Sequence, residues 1–286
     1  MSIDILQEKI RKTKNPSVLT VEAFRELVPP AYLLNDPVTA MERYYQDILS
    51  SLRGVMPAVR FGFASFAVLG EQGIAALSRL MHHGKKQGFY VLLDLPEMLS
   101  SMAAENMAAR LEEEALFPSD GYVIGAYLGS DAYKPFVKLC AKGKTLFPVL
   151  RTSNRSASEL QDLLSGNRLV HMAAADIVSR YAEQHIGKCG YCQVGLLAAA
   201  AAADSLRTLR SKYKRLFLLL DGFDYPNANA KNCSYGFDKL GHGAAACAGC
   251  SVLGAWKDAP ELSCMEAALQ AAEQMKRKLS RYITVL

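Results

Sequence analysis

Short apolar runs alternate with longer amphipathic segments along most of the chain. The clearest run, FYVLLD from Phe89 to Asp94, has five apolar residues followed by one carboxylate. A continuous apolar run of this length is typical of a strand buried on both faces of a parallel sheet. Runs of similar character predict eight strands, at 16–21, 58–63, 89–94, 121–124, 145–150, 192–197, 215–220 and 243–246.

Segments with a period of 3.6 residues lie between these strands and predict helices. Their predicted positions are 2–14, 36–52, 70–88, 101–116, 130–139, 157–164, 169–184, 199–213 and 262–279. Regular alternation with short connections predicts one α/β domain over residues 1–286, a (β/α)8 TIM barrel whose helix 2–14 precedes strand one. A doubly wound sheet is the alternative, but the chain lacks the Gly-rich phosphate turn expected after an early strand.

The composition narrows the classes of partner. Apolar residues make up 50% of the chain and charged residues 21%, which suffices for a full core. The net charge of +5 is modest, and no Lys/Arg run is interleaved with aromatic residues, so nucleic-acid binding has no support. The first helix is charged and no apolar run approaches the length of a membrane span. We therefore expect a soluble, cytoplasmic protein with no membrane partner.

Two CxxC pairs, Cys189/Cys192 and Cys247/Cys250, raise the question of zinc, because four thiolates at this local spacing can close a tetrahedral site. The first pair precedes predicted strand six and the second follows predicted strand eight, so the pairs lie at opposite ends of the barrel. A smaller site at the upper end is a second possibility, formed by Cys233, His242, Cys247 and Cys250. An odd total of seven cysteines favours free thiols, and we expect neither a metal nor a cofactor.

Four segments carry a resemblance to a known family. They read MSIDILQEKI from Met1, YLGSDAYKPF from Tyr127, VLRTSN from Val149 and GKCGYCQVG from Gly187. In sequence, order and spacing they resemble the longer-chain bacterial subfamily of orotidine 5′-phosphate decarboxylases. The resemblance implies a TIM barrel, a lyase of pyrimidine biosynthesis that needs no cofactor, and a dimer with active sites beside the partner chain.

The same resemblance implies that the catalytic residues are altered. The family carries Asp-x-Lys-x-x-Asp after strand three and a Lys at the end of strand two, and an ammonium group protonates the carbanion left by loss of carbon dioxide. In this chain the first Asp is Asp94, but the two Lys positions hold Pro96 and Arg60, and the second Asp position holds Leu99. Proline has no proton to give, and a guanidinium is too basic to donate one. Asp94 and Arg60 are thus predicted to be a vestigial catalytic pair.

The phosphate-binding segments differ as well. The family has a Gly-rich loop with Gln after strand seven, where this chain reads DGFDYPN from Asp221, with a second carboxylate at Asp224. Two carboxylates in a phosphate site repel the ligand. The family's Ser-Arg-Gly after strand eight reads Gly249-Cys250-Ser251 here, and its ribose-binding Asp in strand one corresponds to Thr20 or Glu22.

The candidate ligand-binding residues are Glu22, Thr152, Ser153, Asn154 and Asp221. By resemblance the loop with Thr152, Ser153 and Asn154 contacts the pyrimidine, although such polar residues would equally form a turn with no ligand. We predict a decarboxylase-like protein that has lost activity and has a binding or regulatory role, with a pyrimidine nucleotide or another small molecule as ligand. The alternative is an enzyme that uses the same barrel mouth for pyrimidine nucleotide decarboxylation or another reaction.

The segment after strand three also bears on assembly. Leu99 stands where the family has a charge shared across its dimer interface, and Met98, Met102 and Met107 lie close by in sequence. An exposed apolar patch at the mouth is explained by a partner that covers it. We predict a homodimer through the top of the barrel, or a heterodimer with an intact decarboxylase. In the alternative, Met98 and Leu99 fold inward and fill the emptied pocket.

Overall fold

A computed structural model describes residues 1–33, 36–113 and 116–285. Eight parallel strands, which we label β1 to β8, pair in chain order to form a closed barrel. They are Ser17–Val21, Ala58–Gly62, Tyr90–Asp94, Gly121–Gly125, Thr145–Arg151, Leu196–Ala199, Leu218–Asp221 and Ala244–Ala248. The predicted (β/α)8 TIM barrel is therefore confirmed.

Most helices connect successive strands around the outside of the barrel, whereas the first precedes β1 and the last two follow β8. Those in the described residues, labelled α1 to α11, are Ser2–Thr13, Pro37–Ser51, Phe63–Ala67, Gly70–Lys86, Ser101–Glu113, Ser130–Ala141, Val170–Ala182, Ala203–Lys212, Ala230–Ser234, Cys250–Leu253 and Cys264–Ser280. Asp36 caps α2 by accepting a hydrogen bond from the Thr39 N–H, as the Asp-Pro sequence predicts. None of the helices within the described ranges has the length and apolar character needed to cross a membrane.

One predicted helix is wrong, and one predicted strand is displaced along the chain. The segment 157–164 is not an α-helix, because a short 3-10 turn at Arg155–Glu159 is followed by a hairpin of Leu164–Ser165 and Arg168–Leu169. Gly166 turns this hairpin with a φ of +65°, and this local turn overrides the helical pattern.

Strand six is also shorter than predicted. It begins at Leu196 and not at Cys192, because Cys192 pairs with Ile186 in a single antiparallel bridge before the barrel strand starts. Its last residue is Ala199, so the helix predicted from residue 199 starts only at Ala203.

Alternate residues of the strands point into the barrel, as the period of two requires. The resulting interior cluster contains Val18, Ala58, Tyr90, Leu92, Val123, Phe147, Leu197, Phe217, Leu219, Ala245 and Cys247. Tyr191 and three residues of α1, Ile3, Leu6 and Ile10, complete the cluster, so α1 closes the barrel at the N-terminal ends of the strands. The opposite end, where the strands finish, is left open.

Hydrogen bonds fix α1 in this position. The Ser2 N–H donates to Gln193 Oε1 at 2.8 Å, and Ser2 Oγ is 2.8 Å from the Tyr90 hydroxyl inside the barrel. The Cys189 N–H donates to Asp4 at 2.8 Å. Burial raises the pKa of Asp4, but this bond and further hydrogen bonds to Asp4 together lower it to about 2. The first helix is thus part of the barrel core.

We expect α1 to contribute strongly to stability. Leu6→Ala removes a fully buried side chain and should lower the free energy of unfolding by about 2–5 kcal/mol. The control Ile5→Ala changes the adjacent residue, which is 46% exposed, and should change it by no more than about 0.5 kcal/mol. Denaturant unfolding compares the two variants, and equal effects would contradict the placement of α1 beneath the barrel.

Candidate functional site

The alternation that fills the barrel interior also brings four polar side chains together at its open end. Arg60 follows the inward-facing Ala58, Asp94 follows Leu92, Asp221 follows Leu219 and Cys247 follows Ala245, each two residues further along its strand. Because parallel strands finish at the same end of a barrel, these side chains form the top layer of the interior. This end of the barrel is called the mouth below.

Arg60 is the centre of this layer. Its Nε lies 2.7 Å from each carboxylate oxygen of Asp94, and its Nη2 lies 2.6 Å from Asp94 Oδ2. Its Nη1 binds Asp221 Oδ1 on the far side of the barrel. One guanidinium therefore bridges β2, β3 and β7, with bidentate geometry toward Asp94.

Burial governs the charges of this cluster. Although burial disfavours the charged guanidinium, Asp94 and Asp221 raise the pKa of Arg60 well above its usual value. Burial raises the pKa of Asp94, and Arg60 offsets part of that rise. With Arg60 ionised, the cluster combines one cation with two carboxylates, and Arg60 cannot release a proton near neutral pH.

Cys247 lies beside Arg60 in the same layer. Burial raises the pKa of its thiol to about 12, so it remains protonated despite the nearby guanidinium. Cys233 is also buried, whereas Cys250 is exposed at the start of α10. In the described ranges, no three His, Cys, Asp or Glu side chains converge as metal ligands, so the four-residue zinc arrangement is not formed there.

Two cavities open on either side of Arg60. The larger, of about 470 Å³, lies against β1, β2, β7 and β8, and its polar lining includes Thr20, Glu22, Asp221 and Asp224. The smaller, of about 270 Å³, lies against β3, β4 and β5, and its lining includes Asp94, Glu97, Tyr127, Thr152 and Gln161. Arg60 is the one basic side chain among the described residues that line either cavity.

Glu22 enters the larger cavity directly after β1. Its carboxylate lies over Gly62, where an added Cβ would come within 2.2 Å of a carboxylate oxygen, so only glycine leaves room for this placement. Burial raises the pKa of Glu22, and a hydrogen bond from Ser65 opposes the rise. Glu22 is therefore a partly buried carboxylate facing the cavity.

Asp224 is bound to the backbone that follows β8. Its carboxylate accepts hydrogen bonds from the Gly249 N–H at 2.5 Å and from the Ser251 N–H at 3.3 Å. These amides lie in the segment where the resembling family carries its phosphate-binding Arg. An anion that belongs to the chain itself occupies them.

The loop after β5 holds the predicted residues Thr152, Ser153 and Asn154 in three different settings. Thr152 lines the smaller cavity, and its N–H donates to Gln161 Oε1 at 2.8 Å. Ser153 Oγ donates to the Asp221 carbonyl oxygen at 2.7 Å and so joins this loop to β7. Asn154 is exposed and accepts a hydrogen bond from the Thr152 hydroxyl, which is the turn-forming role.

Neighbouring residues keep this loop in place. Arg151 pairs with Asp162 at 2.7 Å, and His171 Nδ1 lies 2.8 Å from the Gln161 carbonyl oxygen. Gln161 falls in the segment wrongly predicted as a helix, so no sequence signal pointed to its position at the cavity. Glu97 and Tyr127 were missed as well, although Glu97 stands within the strand-three signature and could have been considered.

Leu99 does not fold into the mouth. Its side chain is 89% exposed, so the alternative in which it fills the pocket is wrong for this residue. Met98 is partly buried against the outer core. Leu99 therefore leaves the cavities open.

Comparisons with known proteins agree with this fold. A curated orotidine 5′-phosphate decarboxylase of Caldicellulosiruptor saccharolyticus is 23% identical over 300 aligned positions, covering 98% of each chain. One of Rhodopirellula baltica is 25% identical over 211 residues, covering 72% of this chain and 70% of the relative. No family model matches the chain.

Solved structures share the fold across nearly the whole chain. The orotidine 5′-monophosphate decarboxylase of Plasmodium berghei superposes with a TM-score of 0.76 at 13% identity, covering 98% of this chain and 99% of that one. The Leishmania donovani enzyme gives a TM-score of 0.72 at 20% identity, covering 97% and 98%.

The barrel and its charged mouth define a (β/α)8 protein with a candidate site at the C-terminal ends of the strands. Over most of its length the chain is related to proteins named orotidine 5′-phosphate decarboxylase, so the resemblance seen in its sequence is confirmed.

We expect Arg60 to be essential for stability at neutral pH. Arg60→Met leaves Asp94 and Asp221 close together without a cation, which should cost about 3–5 kcal/mol in the free energy of unfolding. Without Arg60 the pKa of Asp94 rises further, so the folded chain keeps a proton that the unfolded chain releases above about pH 4. The deficit should therefore shrink toward about pH 5 and grow as pH rises through the raised pKa.

Arg79→Met is the matched control, because Arg79 pairs with Glu42 at 2.7 Å on the surface and is 58% exposed. It should change the free energy of unfolding by about 0–1 kcal/mol, with little dependence on pH. Chemical denaturation at several pH values compares the variants. An Arg60→Met protein as stable at neutral pH as Arg79→Met would contradict the cluster.

Proposed function

We propose that this chain is a catalytically inactive relative of the orotidine 5′-phosphate decarboxylases, with a binding or regulatory role at its barrel mouth. The observation that carries the proposal is the arrangement around Arg60. The one basic side chain that lines the described cavities is bound by both Asp94 and Asp221. A decarboxylase of this family would need a lysine ammonium there that can give a proton.

The chemistry of proton donation supports the proposal. Loss of carbon dioxide leaves a carbanion, and the group that protonates it needs a pKa near the working pH. The carboxylates raise the pKa of Arg60 well above its usual value, and Pro96 has no side-chain proton. Substrate would also bring its own carboxylate against Asp94, with no unpaired cation among the lining residues to compensate.

A second candidate function is a different reaction at the same mouth. Burial raises the pKa of both Glu22 and Asp94, and carboxyl groups of this kind in a cavity are candidates for proton transfer. Asp221 and Asp224 complete the charged set that such an enzyme would use. The first proposal is preferred because Asp94, Asp221 and Asp224 are already engaged by partners within the chain.

Orotidine 5′-phosphate should not be turned over. Purified protein is expected to produce uridine 5′-phosphate no faster than the uncatalysed reaction, measured by loss of substrate absorbance beside a working decarboxylase. The double variant Pro96→Lys with Leu99→Asp should remain inactive, because Asp224 still occupies the amides that follow β8. Turnover by the unmodified protein above background would refute the proposal.

We further propose that a second copy of the chain covers the mouth. Exposed apolar side chains surround it in the segments that follow the strands, and together we call them the apolar rim: Phe24, Val68, Leu99, Met102, Leu128, Leu164 and Tyr225. Val68 is 83% exposed and Met102 is 70% exposed, and exposed apolar side chains that are grouped in this way favour a partner that covers them. A twofold axis over the mouth would bury the same rim on both copies.

Leu99→Asp should weaken this dimer. A carboxylate buried among the apolar side chains of the rim loses its hydration without gaining a partner, so we expect a dissociation constant higher by about tenfold or more. Leu240→Asp is the control, because Leu240 is 50% exposed in the loop before β8, at the opposite end of the barrel. Sedimentation at micromolar concentrations measures both variants. A monomeric parent protein would contradict the homodimer, and association only after adding an intact decarboxylase would show the heterodimer instead.

A further inference from the structure

The larger cavity differs from a nucleotide site in the charge of its walls. Its charged lining consists of Glu22, Asp221, Asp224 and the guanidinium of Arg60. Arg60 binds Asp221 here and Asp94 on its other side, so its charge is already balanced within the protein. A phosphate entering this cavity would meet carboxylates and no unpaired cation among the described lining residues.

The backbone donors at the cavity wall are also occupied. Gly249 lines the cavity, and its N–H and that of Ser251 both donate to the Asp224 carboxylate. A charged acceptor makes these bonds stronger than bonds between neutral groups. An anionic ligand group would therefore have to displace Asp224 and then lie next to the displaced carboxylate.

The rest of the cavity suits a ligand of moderate size. Its volume of about 470 Å³ lies within the range of small-molecule sites, and Phe24, Leu27 and Leu253 supply apolar walls. Arg60, the one basic residue of the described lining, forms its ion pairs with Asp94 and Asp221 and acts on the Glu22 carboxylate only at longer range. A hydroxyl or an amine on the ligand could donate to the Glu22 carboxylate, whereas a phosphate dianion has no proton to donate.

We propose that the mouth takes an unphosphorylated ligand of about nucleoside size, uncharged or cationic, and excludes phosphate esters, with Asp224 as the residue that sets this specificity. The inference rests on the proposed function in one respect, namely that the mouth binds a ligand. It extends that function by assigning the chemical class of the ligand. Because Asp224 acts through the amides that it occupies, removing its carboxylate exposes donors for an anion.

Three probes test the proposal: uridine, 5′-amino-5′-deoxyuridine and uridine 5′-phosphate. They differ only at the 5′ carbon, which carries a hydroxyl, an amine or a phosphate. Calorimetric titration of the full chain should rank the amine and uridine above the phosphate, with the phosphate weaker by about tenfold or more. Asp224→Ala should strengthen binding of the phosphate by about tenfold or more and leave uridine within about threefold. Glu8→Ala is the control, because it removes one carboxylate from α1, at the other end of the barrel.

The titration distinguishes a failure of this inference from a failure of the proposed function. Tighter binding of uridine 5′-phosphate than of uridine by the unmodified protein would overturn the inference, as would unchanged phosphate binding in Asp224→Ala. If the unmodified protein binds none of the probes, a gain of phosphate binding in Asp224→Ala still supports the role of Asp224, and no gain overturns it.

Should Asp224→Ala fold poorly, Asp224→Asn is the second variant, because it removes the charge and keeps one acceptor. It must then bind uridine 5′-phosphate more tightly than the unmodified protein does. Turnover of orotidine 5′-phosphate is a separate result, which would refute the proposed function without deciding how the mouth selects charge.

Discussion

The three-membered ion cluster of Arg60, Asp94 and Asp221 is the constraint on which the rest of the mouth depends. A guanidinium at the top of a filled barrel has lost most of its hydration, and such a charge persists only with partners at close range. The two carboxylates meet this need from β3 and β7, across the barrel. The same contacts divide the mouth into two cavities and remove the one lining cation from any role toward a ligand.

Asp224 engages the backbone donors at the mouth in the way that Asp94 and Asp221 engage Arg60. Backbone N–H groups at the end of a barrel strand are suited to an anion, and here the chain supplies its own carboxylate to them. The positive side chain and these backbone donors are therefore both engaged by acidic residues of the protein. The groups at the mouth that remain without partners among the described lining residues are therefore acidic and apolar, and the exposed apolar rim surrounds them.

Much of this arrangement could be predicted from the sequence, because strand order and the period of two determine which side chains share a layer. Once FYVLLD is placed in β3, Asp94 is expected at the open end of the barrel, and the same reasoning applies to Asp221 at the end of β7. What the sequence could not provide are contacts between segments distant in the chain. The bond from Gly249 to Asp224 and the position of Gln161 depend on how loops meet above the barrel. The periodicity at 157–164 predicted a helix that does not form, because over so short a segment the turn at Gly166 determines the local structure.

The central claim is that the mouth is held closed to nucleotides by charges within the chain, and a crystal structure of the protein grown with millimolar orotidine 5′-phosphate tests it most directly. The account predicts Arg60 bound to both Asp94 and Asp221, Asp224 on the Gly249 and Ser251 amides, and no nucleotide density in either cavity. A nucleotide whose phosphate lies on those amides, with Asp224 displaced and Arg60 turned toward the ligand, would contradict it.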